Sequence, residues 1–312
     1  MNTILGANGV VARELSRALS ASPGPLRQVS RHPQRVSASD EVMAADLLDP
    51  QATDRAVAGS ATAYLVAGLK YDARVWEAQW PRLMRNVIDA CKRHECRLVF
   101  LDNVYAYGRV KGTMTEETAF NPVSRKGEVR ARLATMLLDE MRSGNLVAMI
   151  VRAADFYGPG AANSFPHAMV FERLKAGRKP RWIGNPKSVH SFTYTPDLGR
   201  ALAALGETAS AYGQTWHAPT SGELLSGEAF VRLACEQAGR PYALQTVPRA
   251  MLHALGWIVP VLRENREMMY QFDYDYRFDS RKAEALLQIV PTSYRQGVGA
   301  SLDALRMRSR TV

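Results

Sequence analysis

The stretch Thr3-Ile4-Leu5-Gly6-Ala7-Asn8-Gly9-Val10-Val11-Ala12 decides how the rest of the chain is read. A short apolar run meets a glycine turn, and helical spacing begins directly after it: strand, turn, helix. Gly6 permits a sharp turn, Gly9 lets a ligand approach the backbone, and the small Ala12 allows the helix to pack close to the strand. The helix that follows the turn aims unpaired N–H groups and the positive end of its dipole back at it, an arrangement suited to a pyrophosphate. Gly6, Asn8, Gly9 and Val10 are therefore expected to hold a dinucleotide. A purely structural turn is the plainer alternative, and the placement between a strand and a helix weighs against it.

Working outward, apolar β-rich runs alternate with helical periodicity through the first half. Strands are expected at Thr3–Leu5, Leu26–Ser30, Val42–Ala45, Thr62–Ala67, Arg97–Leu101 and Leu146–Val151, and helices at Glu14–Ala21, Ala73–Lys92 and Glu128–Met141. This order predicts an α/β fold, a Rossmann-type doubly wound parallel sheet. Past about residue 160 the alternation loosens, so the expected division is a dinucleotide-binding domain over 1–160 and a smaller, mostly helical substrate lobe over 161–312. Segments near 189–218 are expected to return to the first domain: Ser191–Tyr194, followed by a helix near Asp197, and Thr215–His217. The lobe's helices are expected at Glu228–Ala238, Pro248–Ile258, Arg263–Gln271, Ser280–Leu287 and Arg295–Met307.

At the end of the second strand an acid would favour NAD, whereas basic residues accommodate the 2′-phosphate of NADP. The chain offers Ser30 and Arg31, with Arg35 beyond, so NADP(H) is expected in preference to NAD(H). Arg31 can fork onto phosphate oxygens and Ser30 can donate its hydroxyl proton.

Composition narrows the class. The 312 residues are 46% hydrophobic and 22% charged, as in globular proteins, and no apolar run is long enough to span a membrane. Lacking a signal-peptide pattern, the protein is expected in the cytoplasm. Its net charge of +10 would permit a nucleic-acid partner, but the basic residues come singly or in pairs, so none is expected. Three cysteines and six scattered histidines form no ligand spacing, and no metal is expected. Trp182, Trp216, Trp257, Met268 and Met269 read either as core or as an apolar pocket lining.

Several further segments resemble the extended, epimerase/dehydratase-like branch of the short-chain dehydrogenase/reductases. The glycine turn is similar to that family's fingerprint; Asp46-Leu47 resembles its acid-apolar pair near the adenine, and Val66-Ala67-Gly68 the segment backing the cofactor. Asn121-Pro122, the run from Val151 to Gly160 and the run from Ser191 to Ala201 resemble its later motifs. The resemblance implies a nicotinamide cofactor, a small-molecule substrate, a sugar nucleotide among the possibilities, and a homodimer.

The family's chemistry rests on a Ser or Thr and a Tyr-x-x-x-Lys pair. Here the tyrosine falls on Lys126, the lysine on Arg130 and the Ser/Thr on Asn103. Arg130 is still expected to bond a ribose, and Lys126, its charge disfavoured by nearby Arg130, to give a proton, polarise a carbonyl or form an imine. Tyr105 falls where dehydratase relatives place an acid, and is expected to deliver a proton with its pKa depressed by Lys126 or Arg130. Asp102 offers either a base or a partner for an arginine. The expected function is thus an atypical NADP(H)-dependent oxidoreductase or isomerase of a small organic carbonyl or hydroxyl compound. A catalytically silent redox sensor and a sugar-nucleotide epimerase/dehydratase are the alternatives.

Overall fold

The computed structural model describes residues 1–21, 24–247, 264 and 266–307. Seven strands form one parallel sheet: β1 (Asn2–Leu5), β2 (Leu26–Ser30), β3 (Glu41–Ala44), β4 (Thr62–Leu65), β5 (Arg97–Asn103), β6 (Ala148–Ala153) and β7 (Thr215–His217). Their spatial order is β7-β6-β5-β4-β1-β2-β3, so the chain winds out one way from β1 and then the other. The crevice of such a sheet opens where the order reverses, at the carboxyl ends of β1 and β4. Thr3 pairs with Arg27 on one side and Ala63 on the other, which places the glycine turn at that point.

Helices cover both faces, which explains why β4 and β6 are buried along their whole length. On one face lie α1 (Val10–Leu19) and α5 (Thr195–Glu207); on the other α2 (Pro50–Val57), α3 (Ala73–Arg93) and α4 (Arg125–Arg142). Helix α1 turns Val11, Ala12, Leu15 and Leu19 inward. Leu15 is fully enclosed, so truncation to alanine costs roughly 2–5 kcal/mol. Gly199 lets α5 lie against α1, since a side chain there would come within 2.6 Å of the Glu14 backbone. In the C-terminal half, α6 (Gly227–Gln237) and α7 (Tyr294–Met307) pack around Tyr157, Phe192 and Phe230.

The structure differs from the sequence expectation in instructive places. Phe192–Tyr194 does not join the main sheet; it pairs with Asp155–Tyr157, because the free edge of β6 is taken by Thr215–His217. Strands β5 and β6 each run two residues further than expected, carrying Asp102 and Arg152 into the sheet, where they neutralise each other. Helix α2 was not anticipated, although Asp49 caps it by accepting from the Gln51 and Ala52 N–H groups and Pro50 fits its first turn. Helix α4 begins at Arg125, ahead of the expected Glu128, because Ser124 accepts from the Gly127 N–H. Of the expected helix at 263–271, the described residues Glu264 and Arg266 are helical, residues 267–269 form a turn and a short helix follows at Tyr270–Asp273; the helix expected at 248–258 lies outside the described residues. Trp182, Trp216, Met268 and Met269 are buried core side chains, and Trp257 lies outside the described residues. Among the described residues, no helix is long and apolar enough to cross a membrane and no cluster of potential metal ligands occurs.

Candidate active site

The glycine turn leaves β1 with Gly6 at φ 107° and Asn8 at φ 78°, both in the left-handed region. At Gly6 a side chain would overlap the Ala67 backbone at 2.3 Å, so this glycine is required by the protein itself. Gly9 differs. Its φ is −63°, and an added Cβ would meet nothing nearer than the Gly6 carbonyl oxygen at 3.9 Å. The protein's own packing gives no reason for a glycine there, whereas a pyrophosphate lying on the turn would. Helix α1 follows with Gly9 as its N-cap and no side chain satisfying its first N–H groups, so the N–H of Val10 and its neighbours remain available to an anion. These residues fit a dinucleotide.

Asn8 braces the loop after β2: its side-chain NH2 donates to the His32 carbonyl at 2.6 Å and to Ser30 Oγ at 3.4 Å, and its carbonyl accepts from the Gln34 N–H at 2.9 Å. Its role is to hold Ser30 and Arg31 against the turn. Arg31 is exposed at the end of β2, and Ser30 keeps its hydroxyl proton free to donate. Asp46 is exposed and accepts from the Leu48 N–H at 3.0 Å, while Leu47 is buried with its carbonyl held by Asn86. Val66 is tied to β1 through the Leu5 carbonyl, and Ala67 and Gly68 continue past it beside the turn.

The three positions expected from the resemblance to stand for the catalytic residues, Asn103, Lys126 and Arg130, are each tied down. Asn103 ends β5, and its side-chain carbonyl accepts from the Tyr105 N–H at 3.0 Å. Arg130 donates through Nε to Asp102 Oδ1 at 2.6 Å, with its guanidinium 4.9 Å from the Trp80 ring centre and 5.1 Å from that of Phe100. Asp102 also pairs with Arg152, which donates to the Tyr107 hydroxyl at 2.8 Å; that hydroxyl lies 2.9 Å from His217 Nε2. His217 Nδ1 donates to the Asp279 carbonyl at 2.7 Å, and burial holds this ring neutral, its pKa lowered to about 3. Asp102 is thus the arginine partner.

Lys126, fully buried, donates to Glu264 Oε2 at 2.7 Å, Glu267 Oε1 at 2.8 Å and the Glu264 carbonyl at 3.0 Å. All three N–H groups of the ammonium are engaged, so no lone pair is left for an imine. Lys126 and Arg130 lie one turn apart, yet each has its own carboxylate partner, and repulsion between them does not govern either. Burial raises Glu264, but the bonds from Lys126 and the Ala73 N–H bring its carboxyl below the usual range.

Tyr105 stacks on Trp76 with ring centres 6.3 Å apart, and its hydroxyl lies close to that of Tyr71. Its pKa is raised well above the ordinary value, foremost by burial and then by the charges of Tyr71 and Asp155. The expected depression by Lys126 or Arg130 is therefore reversed: both cations are already paired, and acids surround the phenol.

Sequence reading missed the groups assembled around it. Tyr71, in the loop after β4, lies under the Lys126 ammonium at 4.5 Å, and Tyr270 and Tyr276 come from the far end of the chain. Burial raises all three phenols, and the charge of Asp155 raises them further. Four tyrosines thus share one carboxylate just past the end of β6. Among the described residues, the hydroxyls of Tyr270 and Tyr276 and the side-chain NH2 of Gln271 are buried without a hydrogen-bond partner. A tyrosine in the loop that follows the fourth strand and its Val66-Ala67-Gly68 segment was a legible signal for Tyr71; nothing local marked the others.

Solved structures with the same fold extend over the full chain. MoeE5 in complex with UDP-glucuronic acid and NAD has a TM-score of 0.81 at 19% identity, covering 98% of this chain and 99% of that one. UDP-glucuronic acid 4-epimerase from Bacillus cereus in complex with NAD gives 0.81 at 16% identity, covering 100% and 99%. The dTDP-glucose 4,6-dehydratase DesIV from Streptomyces venezuelae, as a double mutant, gives 0.81 at 16%, covering 100% and 98%. No curated protein sequence matches the chain. Residues 3–217 match the model of the NAD dependent epimerase/dehydratase family, well over half of the chain, and the protein belongs to that family.

Proposed function

We propose that the protein is an atypical NADP(H)-dependent oxidoreductase or isomerase of a small organic carbonyl or hydroxyl compound. The observation that carries this reading is the cluster of protonated phenols, Tyr105 and Tyr71 foremost, beyond the ends of β5 and β6 on the side of the sheet where the glycine turn opens. Gly6, Gly9 and Val10 would hold the pyrophosphate, Asp46 and Leu47 the adenine side, and Val66, Ala67 and Gly68 the back of the dinucleotide. Arg31 with Ser30 favours a 2′-phosphate, although the neighbouring structures above carry NAD. Bound there, the dinucleotide supplies reversible hydride exchange with a carbonyl or alcohol carbon.

Tyr105 would then present its hydroxyl to the substrate oxygen, with Asn103 at the strand end able to donate its NH2 to the same region. Lys126 acts by position: clamped between Glu264 and Glu267, it fixes the segment bearing Tyr270 and Tyr276 over the N-terminus of α4. Arg130, locked to Asp102, fixes the end of β5 rather than touching a ribose. Residues 1–160 would form the cofactor side and 161–312 the substrate side, with β7 returning to the sheet. Glu264 and Glu267 outnumber the cation Lys126 near the phenols, a balance that suits an uncharged substrate better than a nucleotide diphosphate.

Incubation of the purified protein with NADPH and a panel of small aldehydes, ketones and sugar nucleotides tests the proposal. Loss of nicotinamide absorbance with an uncharged carbonyl supports it. Tight binding without consumption across the panel would favour a redox sensor, the reading that the immobilised Lys126 supports; turnover confined to sugar nucleotides would favour an epimerase or dehydratase.

A further inference from the structure

His190 sits between two acceptors. Its Nδ1 is 3.1 Å from the Gln271 carbonyl oxygen and its Nε2 is 3.0 Å from Asp155 Oδ2. A carbonyl oxygen and an ionised carboxylate both only accept, and a neutral ring carries a single N–H, so either neutral tautomer leaves one bare ring nitrogen facing an acceptor. The geometry closes only with one more proton, on the ring or on Asp155. The ring has no room to turn away from this demand: it is 3% exposed, stacked against Phe272 at 4.6 Å and Tyr276 at 4.5 Å, both within 9° of parallel, with Phe192 and Trp182 around its edge.

The charged and titratable groups near this pair are few. Asp155 faces the ring directly and reaches the four phenols with its charge, while Tyr276 stacks on the ring. Asp275, on the adjoining segment, is bound to Arg277 and the Val189 N–H. Asp155 keeps 19% of its side chain exposed, so a proton lost here can be replaced from water. The hydroxyls of Tyr270 and Tyr276 and the NH2 of Gln271, without a partner among the described residues, stand in the same neighbourhood and leave hydrogen-bonding capacity for a polar ligand.

We propose that Asp155 and His190 form the acid–base pair of this site, holding one exchangeable proton that the Tyr71–Tyr105 hydroxyls pass to the oxygen of an uncharged carbonyl substrate. This rests on the function proposed above and supplies its proton. In the reducing direction the Tyr105 O–H bond breaks as the substrate O–H bond forms; Tyr105 recovers a proton by way of Tyr71, the pair gives one up, and water restores it. The carbon receives its hydride from the dinucleotide, which is oxidised, so charge and electrons balance. Phenols held above their ordinary pKa give up a proton reluctantly, and the pair is the neighbouring group whose geometry holds one to supply.

Two measurements decide this. In protein labelled with 15N-histidine and 13Cγ-aspartate, assigned through His190→Asn and Asp155→Asn, NMR at pH 7 without cofactor should show either a doubly protonated His190 ring or a neutral ring beside a protonated Asp155. Asp155→Asn should leave the ring neutral. A neutral ring beside an ionised Asp155 in the unmodified protein would overturn the proposal. In the carbonyl assay, Asp155→Asn should lower kcat by about 10²-fold, on the scale of general-acid catalysis, and remove the fall of rate at high pH while NADPH affinity stays constant. An unchanged pH profile overturns the catalytic role. Failure of the unmodified protein to turn over any substrate would overturn the proposed function and this role together, while NMR would still report whether the pair holds its proton.

Discussion

Acidification should weaken the protein through His217 in a way that one substitution can isolate. In the folded chain this ring donates from Nδ1 to the Asp279 carbonyl, faces the Tyr107 hydroxyl with Nε2 and is buried beside the Arg152 cation, with a pKa lowered to about 3. Unfolded, it titrates near about 6.5. Its folded value is the lower one, so the unfolded state takes up the proton first; stability is full above about pH 6.5 and drains away as pH falls toward about 3. Between pH 7 and pH 4 this single group removes about 3 kcal/mol, a large part of an ordinary domain's stability. His217→Asn can keep a donor toward Asp279 but cannot ionise. Urea denaturation at both pH values should therefore show the unmodified protein losing about 3 kcal/mol more than the variant on acidification. Equal losses would refute the argument, because other titrating groups act on both proteins alike.

Arg31→Ala should weaken NADPH by roughly tenfold to a hundredfold, the scale of one charge-assisted hydrogen bond, and leave NADH nearly unchanged in calorimetric titrations; equal weakening of both would remove Arg31 from the 2′-phosphate. Tyr105→Phe should lower kcat by on the order of 10²-fold at unchanged NADPH affinity, and normal single-turnover chemistry would eliminate this hydroxyl. Installing the family pair by Lys126→Tyr with Arg130→Lys should give no gain in turnover and a lower melting temperature, since Glu264 and Glu267 lose their shared ammonium and Asp102 its guanidinium. Substantial activation would identify the protein as a decayed member of the ordinary family.

What was legible in the sequence was local. The glycine turn, α1 and the parallel strands follow from short-range spacing, and Thr215–His217 was recognisable as a return to the sheet. Phe192–Tyr194 carried the same strand signal, yet which edge it joined depended on β7 already occupying β6, a competition no local pattern records. The substituted positions 103, 126 and 130 could be counted from the family motifs, but their chemistry could not. Lys126 finds its carboxylates 138 and 141 residues away, and that distance turns an expected reactive amine into a clamp. Likewise Asp155 was visible only as part of a motif; its meaning comes from His190, 35 residues on, and from tyrosines gathered from both ends of the chain.

The central claim is that a dinucleotide lies on the turn at Gly9, and the most direct test is titration of NADPH into the unmodified protein and into Gly9→Val. The φ of −63° and the empty space beside Gly9 allow the variant to fold normally, so only a ligand would meet the new side chain. Saturable binding that falls by about 10²-fold or more in a variant with unchanged circular dichroism and melting temperature is the expected result, a loss of about 2.7 kcal/mol or more. Binding of equal strength to both proteins would contradict the account.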